Sequence, residues 1–236
     1  MTKLGSKRHD TRNLLIGVAC LASSSAFAAP NLLSNGSFES PVLPPGSNFL
    51  VAPVGGSVIP GWSVVGAAGQ NVGIIEALYN LPDAAGINFT AANGVQWIDM
   101  AGAGINSTEG VLQSVSLPAG TYSLSFSIGN VVAAAAGLGT TSKANLLING
   151  IFAQSFINGG SIAGAVSWQQ FAYTFSAGGV TTIEFRNGDG PGDNLNGFDN
   201  VVLSAVPEPA TAVSLILGLF FLLAAPGGVI RSRFKE

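Results

Sequence analysis

The chain has 236 residues, 47% hydrophobic and 9% charged, with a formal net charge of −3. Most of its basic residues sit at the two ends (Lys3, Lys7, Arg8 and Arg12 at one, Arg231, Arg233 and Lys235 at the other), so residues 29–205 keep only Lys143 and Arg186 against nine acidic residues, a formal balance of −7. Phosphate binding needs clustered Lys and Arg, so nucleic acid is excluded as a partner and anionic membrane surfaces are disfavoured.

At the N-terminus, the basic residues precede a short apolar core from Leu14 to Ala22, and Ala26-Phe27-Ala28 supplies small residues for signal peptidase. Residues 1–28 therefore read as a signal peptide, cut near Ala28 or Ala29. The core is too short to span a bilayer of ~30 Å, which needs about 20 residues. A lipoprotein signal on Gly17-Val18-Ala19-Cys20 is the alternative, at the cost of an even shorter apolar core. The only cysteine, Cys20, and the only histidine, His9, both precede the cut. The mature chain then lacks disulfides, thiolate chemistry, Ser-His-Asp catalysis and zinc sites of the His/Cys type. Carboxylates, amides, hydroxyls and backbone carbonyls remain, and these suit hard cations such as calcium.

Residues 29–205 are the size of one domain and can bury a sizeable core. Pro41 to Pro60, with five prolines, reads as a long irregular connection. Strand candidates follow in order: Val95–Asp99, Val111–Val115, Thr121–Ile128, Phe171–Phe175, Ile183–Phe185 and Phe198–Leu203. The clearest is Thr121–Ile128, where Tyr122, Leu124, Phe126 and Ile128 alternate with serines, the period of a strand with one buried face. Asn149-Gly150, between Leu146-Leu147-Ile148 and Ile151-Phe152, signals a hairpin. Val131 to Leu138 reads as a loop, because its glycines and lack of an apolar stripe oppose a helix. Many short strands between regular turns indicate an all-β sandwich.

At the other end, Val206-Pro207-Glu208-Pro209 precedes an apolar run, with residues 210–230 long enough to cross a membrane and a basic tail to hold the terminus in the cytoplasm. A plain single-pass anchor would read the same way. The Pro207-Glu208-Pro209 signature tips the balance, because two prolines around a charge stop the helix and leave an accessible extended stretch. Residues 206–236 thus resemble the PEP-CTERM sorting signal. The resemblance implies recognition by an exosortase-type enzyme, transient inner-membrane anchoring, and delivery to the surface or extracellular matrix of a Gram-negative bacterium.

Within residues 29–205, the opening Asn31-Leu32-Leu33-Ser34-Asn35-Gly36-Ser37-Phe38-Glu39, then Ile59-Pro60-Gly61-Trp62, Gly94 to Met100, Leu112-Gln113, Ala119 to Phe126, and the closing Gly197-Phe198-Asp199-Asn200-Val201 come in a telling order. This order resembles the galactose-binding-like jelly-roll family, in the branch found on bacterial surfaces and plant cell walls. The resemblance implies a carbohydrate-binding-like module in which the first and last strands meet around a structural calcium ion. Carried over, Glu39 and Asp199 are its side-chain ligands. Without an ion, the same two residues would end strands or cap turns. Asn187 to Asn196 is a second Asp/Asn/Gly-rich candidate for calcium, or a plain turn.

Sugar binding needs flat rings and amide edges. Trp168 with Gln169, Trp62 and Trp97 are the candidate platform residues, with Gln70, Asn71, Gln96 and Gln113 as further polar partners, although tryptophans in a small sandwich are often core. The leading expectation is a non-enzymatic exported protein that binds extracellular polysaccharide. A purely structural or adhesive matrix subunit is the alternative. A glycoside hydrolase would have to pair carboxylates from Glu76, Asp99, Glu109 and Glu184.

Overall fold

The computed structural model describes residues 29–79, 86–103, 108–132, 138–190, 195–207 and 218. The expected signal peptide, the expected sorting segment from Glu208 onward apart from Gly218, and residues 133–137 of the stretch read as a loop lie outside them. Among the described residues no helix is long and apolar enough to cross a membrane. Nine strands follow in order: β1 (Phe49–Pro53), β2 (Ser63–Val65), β3 (Asn71–Glu76), β4 (Gln96–Asp99), β5 (Gly110–Asn130), β6 (Ser142–Ile148), β7 (Ile151–Asn158), β8 (Ser167–Asn187) and β9 (Asn196–Ala205). All ladders between them are antiparallel and run β1-β3-β4-β9-β5-β8-β6-β7, with β2 paired to β5.

One path of hydrogen bonds becomes two layers because β5 and β8 form a long ribbon that turns a corner. The near half of β5, Gly110 to Leu117, pairs with Gly179 to Arg186 of β8, and the far half, Gly120 to Asn130, pairs with Ser167 to Ala177. The register shifts between Leu117 and Gly120, opposite Gly179. Gly179 has φ 82°, a conformation that costs a residue without Cβ nothing. In a straight strand Val111 and Phe126 would be roughly 50 Å apart. Yet Phe185, the partner of Val111, has its ring centroid 4.7 Å from that of Phe126. The ribbon has folded back on itself.

The first layer is β1, β3, β4, β9 and the far halves of β5 and β8. The second is β2, the near half of β5, Gly179 to Asn187 of β8, β6 and β7. Leu124, Phe126, Ile128, Ile74, Ile98 and Phe198 from the first layer meet Val64, Val111, Leu146, Phe156, Ile183 and Phe185 from the second, all buried. Phe126 is the hub, with rings of Phe156, Phe171, Phe185 and Phe198 at 4.9, 6.1, 4.7 and 5.6 Å.

The opening residues are stitched across this core. Asn31 donates through Nδ2 to the Val201 carbonyl at 2.8 Å and accepts from the Leu203 amide at 2.9 Å, copying a strand partner for β9. Gly36 passes so close that a Cβ there would lie 2.0 Å from the Val201 oxygen. The Gln113 side chain accepts from the Ser34 amide and donates to its carbonyl, while Gln96 donates to the Phe38 and Pro41 carbonyls and accepts from Leu43.

The all-β expectation holds, with two kinds of difference. The pairs Val111–Val115 with Thr121–Ile128, and Phe171–Phe175 with Ile183–Phe185, are single strands that bend, not four strands. The Pro41–Pro60 stretch contains β1, paired residue for residue with β3. The hairpin forms as expected, with Asn149 at φ 53° and Gly150 at φ 74°, both left-handed as a two-residue turn of this kind requires.

Because Phe126 contacts both layers, Phe126→Ala should cost about 3–5 kcal/mol of unfolding free energy. Urea denaturation followed by tryptophan fluorescence would measure this, and a loss below about 1 kcal/mol would mean the hub does not join the layers.

Candidate functional site

The outer face of the first layer is also covered. Ile75, Phe89, Trp97, Val131, Leu138, Val166 and Leu195 form a second buried cluster there, with Tyr79 and Trp168 packed against it. One row of paired residues crosses five strands on this face: Gly73, Asp99, Gly197, Gly129 and Trp168. Three of the five lack a side chain, which leaves a trough. The Trp168 indole fills one end, since a Cβ on Gly129 would meet its ring at 2.8 Å and one on Gly197 at 3.1 Å.

The other end stays open as a recess of ≈ 100 Å³ lined by Phe49, Gly73, Ile75, Tyr79, Asp99, Gly102, Ala103 and Leu195. Phe49 and Tyr79 meet edge to face with centroids 5.9 Å apart, and Tyr79 meets Phe89 at 5.1 Å. Tyr79 also borders a wider hollow of ≈ 380 Å³ with Leu78, Ile87, Asn88 and Phe89. The Asp99 carboxylate is oriented by the Ala101 and Asn196 amides, which donate to Oδ1 at 2.9 and 3.0 Å. A larger recess of ≈ 480 Å³ lies between Leu32, Pro118 to Tyr122 and Ala205 to Pro207. It has no charged or amide side chain, and its Tyr122 hydroxyl already donates to the Pro118 carbonyl, which leaves the Thr121 hydroxyl as the side chain able to orient a polar ligand.

The tryptophans are placed differently from the sequence expectation. Trp97 and Trp62 are buried, with Nε1 donating to the Phe89 and Asn35 carbonyls. Neither offers a ring face to a sugar, because packing occupies it. Trp168 is half-buried, edge-on to Trp97 at 5.7 Å, and donates to the Thr90 carbonyl. Gln169 is exposed, but alternation sends it to the opposite face of the strand, so Trp168 and Gln169 do not make a joint platform. Gln96 and Gln113 spend their amides on the opening segment. Sequence reading missed Phe49 and Tyr79. Phe49 lay in the proline-rich stretch and Tyr79 in a loop, and only the fold brings their rings together.

Glu39 and Asp199 do come together. Glu39 Oε1 accepts from the Val95 and Gln96 amides, both at 2.9 Å, while Asp199 accepts from Asn93 at 2.8 Å and Asn200 at 2.6 Å. The two carboxylates pin the turn leading into β4 between the opening segment and β9. Burial pushes the Asp199 carboxyl up to about 7, against the lowering effect of amides from Asn93, Asn200 and Ala92, and the charge of Glu39 adds to the rise. In the second Asp/Asn/Gly stretch, Asp189 Oδ2 accepts from the Lys143 amide and from Asn196 Nδ2, both at 3.0 Å. Burial raises its pKa as well, partly offset by Lys143. This part is a hydrogen-bonded turn, and Asp193 and Asn194 lie outside the described residues. Among the described residues no three His, Cys, Asp or Glu side chains are grouped as metal ligands.

No protein-family model matches the chain, and no curated protein does. Solved structures similar to it include TmCBM61 in complex with beta-1,4-galactotriose, at 17% identity and TM-score 0.45, covering 75% of this chain and 100% of that one. The CBM22-1 xylan-binding domain of Paenibacillus barcinonensis Xyn10C is 14% identical with TM-score 0.41, covering 78% of this chain and 100% of its own. A family 35 carbohydrate-binding module from Clostridium thermocellum is 12% identical with TM-score 0.39, covering 68% of this chain and 100% of its own.

Asp199 holds a proton in the folded chain that the unfolded chain, near 3.8, has already released. The stability this supplies is present below about pH 4 and is lost as pH rises through about 7. Metal-free protein should therefore lose on the order of 3 kcal/mol at this residue between pH 4 and pH 8. Asp199→Asn should flatten that slope in urea titrations, and an unchanged slope would place the titration elsewhere.

Proposed function

We propose that the chain is an exported, non-enzymatic surface or matrix protein whose sandwich is a galactose-binding-like jelly roll that binds extracellular polysaccharide. The observation that carries this reading is the recess of Phe49, Tyr79 and Asp99 over the side-chain-free Gly73. Aromatic rings suit the apolar face of a sugar, and a carboxylate already oriented by two amides suits its hydroxyls. The sorting signature at Pro207-Glu208-Pro209 supports delivery to the surface and cleavage by an exosortase-type enzyme.

The carboxylates support a binding role over hydrolysis. Glu76, Glu109 and Glu184 are buried away from the recess, and Asp99 lines it without a second carboxylate. Glu184 is tied to Arg186, and Glu76 accepts from the Gly46 amide. An acid and base pair must flank a glycosidic bond in an open cleft, which these positions disfavour.

Calcium belongs to the same reading. Glu39 and Asp199 would supply two carboxylates, with backbone carbonyls completing an all-oxygen shell. A dication there would offset the burial and the Glu39 charge that raise Asp199, and it would hold the ends of the domain together without a disulfide. Its binding would have to displace the Asp199 proton, so calcium should stabilise the protein more at pH 8 than at pH 5. At one hundred times its dissociation constant the gain at pH 8 would be about 2.7 kcal/mol. Thermal melts with calcium or chelator, on wild type and Glu39→Gln, check this. Equal melts in all four conditions at pH 8 would remove calcium from the reading.

For the sugar, Tyr79→Ala and Phe49→Ala should each weaken polysaccharide binding about tenfold, the worth of one aromatic contact, measured at a temperature where thermal melts show each variant folded. Affinity electrophoresis against a panel of soluble polysaccharides reads this directly. Wild type that binds none of them, with or without calcium, would defeat the proposal.

A further inference from the structure

The sandwich has four edges, and they are unequal. On one side are β1, five residues ending on Pro53, and β2, three residues long. Short strands and a terminal proline are how natural proteins keep a sheet edge from pairing with another chain. The opposite side has no such protection. Its first-layer edge is the eleven-residue arm of β8 from Ser167 to Ala177, paired to β5 on one flank and to no other strand among the described residues. Its second-layer edge is β7, paired only to β6.

These two edges lie over one another, since Phe156 of β7 meets Phe171 and Tyr173 of β8 at 5.5 and 6.4 Å. Neither contains a charged residue or a proline. On β7, Ile151, Phe152 and Ile157 are 73, 60 and 53% exposed. On the β8 arm, Gln170, Ala172, Thr174 and Ser176 face solvent.

We propose that this side is a self-association surface, where a second copy of the chain pairs antiparallel to the β8 arm and continues both layers. A twofold axis perpendicular to the layers would set β8 against β8 and β7 against β7, so the same patch serves both copies. Charge selects a second copy as the occupant. Residues 29–205 carry a balance of −7, which makes most approaches of two copies repulsive, yet none of those acidic residues lies on β7 or on Ser167 to Ala177. In an antiparallel self-pair a charge near the twofold axis would meet its own copy, and an uncharged strand has none to repel. The extent is adequate too. A side roughly 36 Å long across two layers about 10 Å apart, with its side chains, offers on the order of 700 Å² per partner, near the ~800 Å² of a stable complex.

Lysine on the exposed face of the arm tests this, because it blocks edge pairing without touching the core. The full chain, purified in detergent, would be compared by sedimentation velocity with the double variant Ala172→Lys/Thr174→Lys and with Val51→Lys on the opposite edge. Wild type and Val51→Lys should dimerise alike, and the double variant should dissociate at least tenfold more readily. Amide exchange across residues 168–176 should slow as wild-type concentration rises, and not in the double variant. A wild type that stays monomeric, or captures only a different protein, overturns the proposal. So does a dimer that survives the lysines, which would be held by the C-terminal apolar segment, or one that Val51→Lys disrupts equally.

Discussion

The constraint on which everything else rests is the bend of the β5/β8 ribbon. Without it the nine strands would be one continuous antiparallel sheet with a single long apolar face. With it, two faces close on Phe126, and its ring reaches Phe156 and Phe185 in one layer and Phe171 and Phe198 in the other. The bend sits where a bulge at Leu117/Gly120 faces Gly179, so the ladder is interrupted where it must turn and nowhere else along that pair. Non-local pairing of this kind closes long loops, and its entropic cost has to be offset by the aromatic core.

The domain closes its ends with side-chain amides and with carboxylates bound to backbone amides. Among the described residues one ion pair appears, Arg186 with Glu184, two positions apart on the same strand. Asn31, Gln96 and Gln113 instead bracket the opening segment against β9, β4 and β5, and an amide can donate and accept at once where a carboxylate can only accept. The arrangement explains why so few basic residues suffice. It also strands Asp199, a buried carboxylate whose partners are backbone amides and whose nearest charge has the same sign.

Much of this was legible in the residues. Alternation in Thr121–Ile128 gave both the strand and its buried face, Asn149-Gly150 gave the turn, and the separated opening and closing motifs do meet, with Glu39 and Asp199 at their junction. The failures have a common cause. β3 and β4 are buried on both faces, so Asn71 to Glu76 shows no period of two and passed unrecognised. The same second layer of burial hid the tryptophans: alternation puts Trp97 opposite Ile98, but it cannot say that loops cover the side on which Trp97 lies. Gln96 and Gln113 looked like sugar-binding amides because residue type does not reveal that a backbone segment already occupies them. The row of Gly73, Gly129 and Gly197 was invisible for another reason: three glycines far apart in sequence become one trough only through register.

That trough and the uncharged edges divide the molecule's surface in a consistent way. Acidic groups stand at two places, Asp99 in the recess and Glu39 with Asp199 at the junction of the chain ends, each held by backbone donors. The side formed by β7 and the β8 arm carries polar side chains but no charged one. A ligand rich in hydroxyls gains from the first region, where oriented acceptors replace lost water contacts. An apolar, hydrogen-bonding sheet edge gains from the second, where no charge must be desolvated. The two regions meet at Trp168, which begins the free arm of β8 and also lies across Gly129 and Gly197 at the filled end of the trough. Its packing therefore links the position of the edge strand to the shape of the recess, through a single ring and without any charged group.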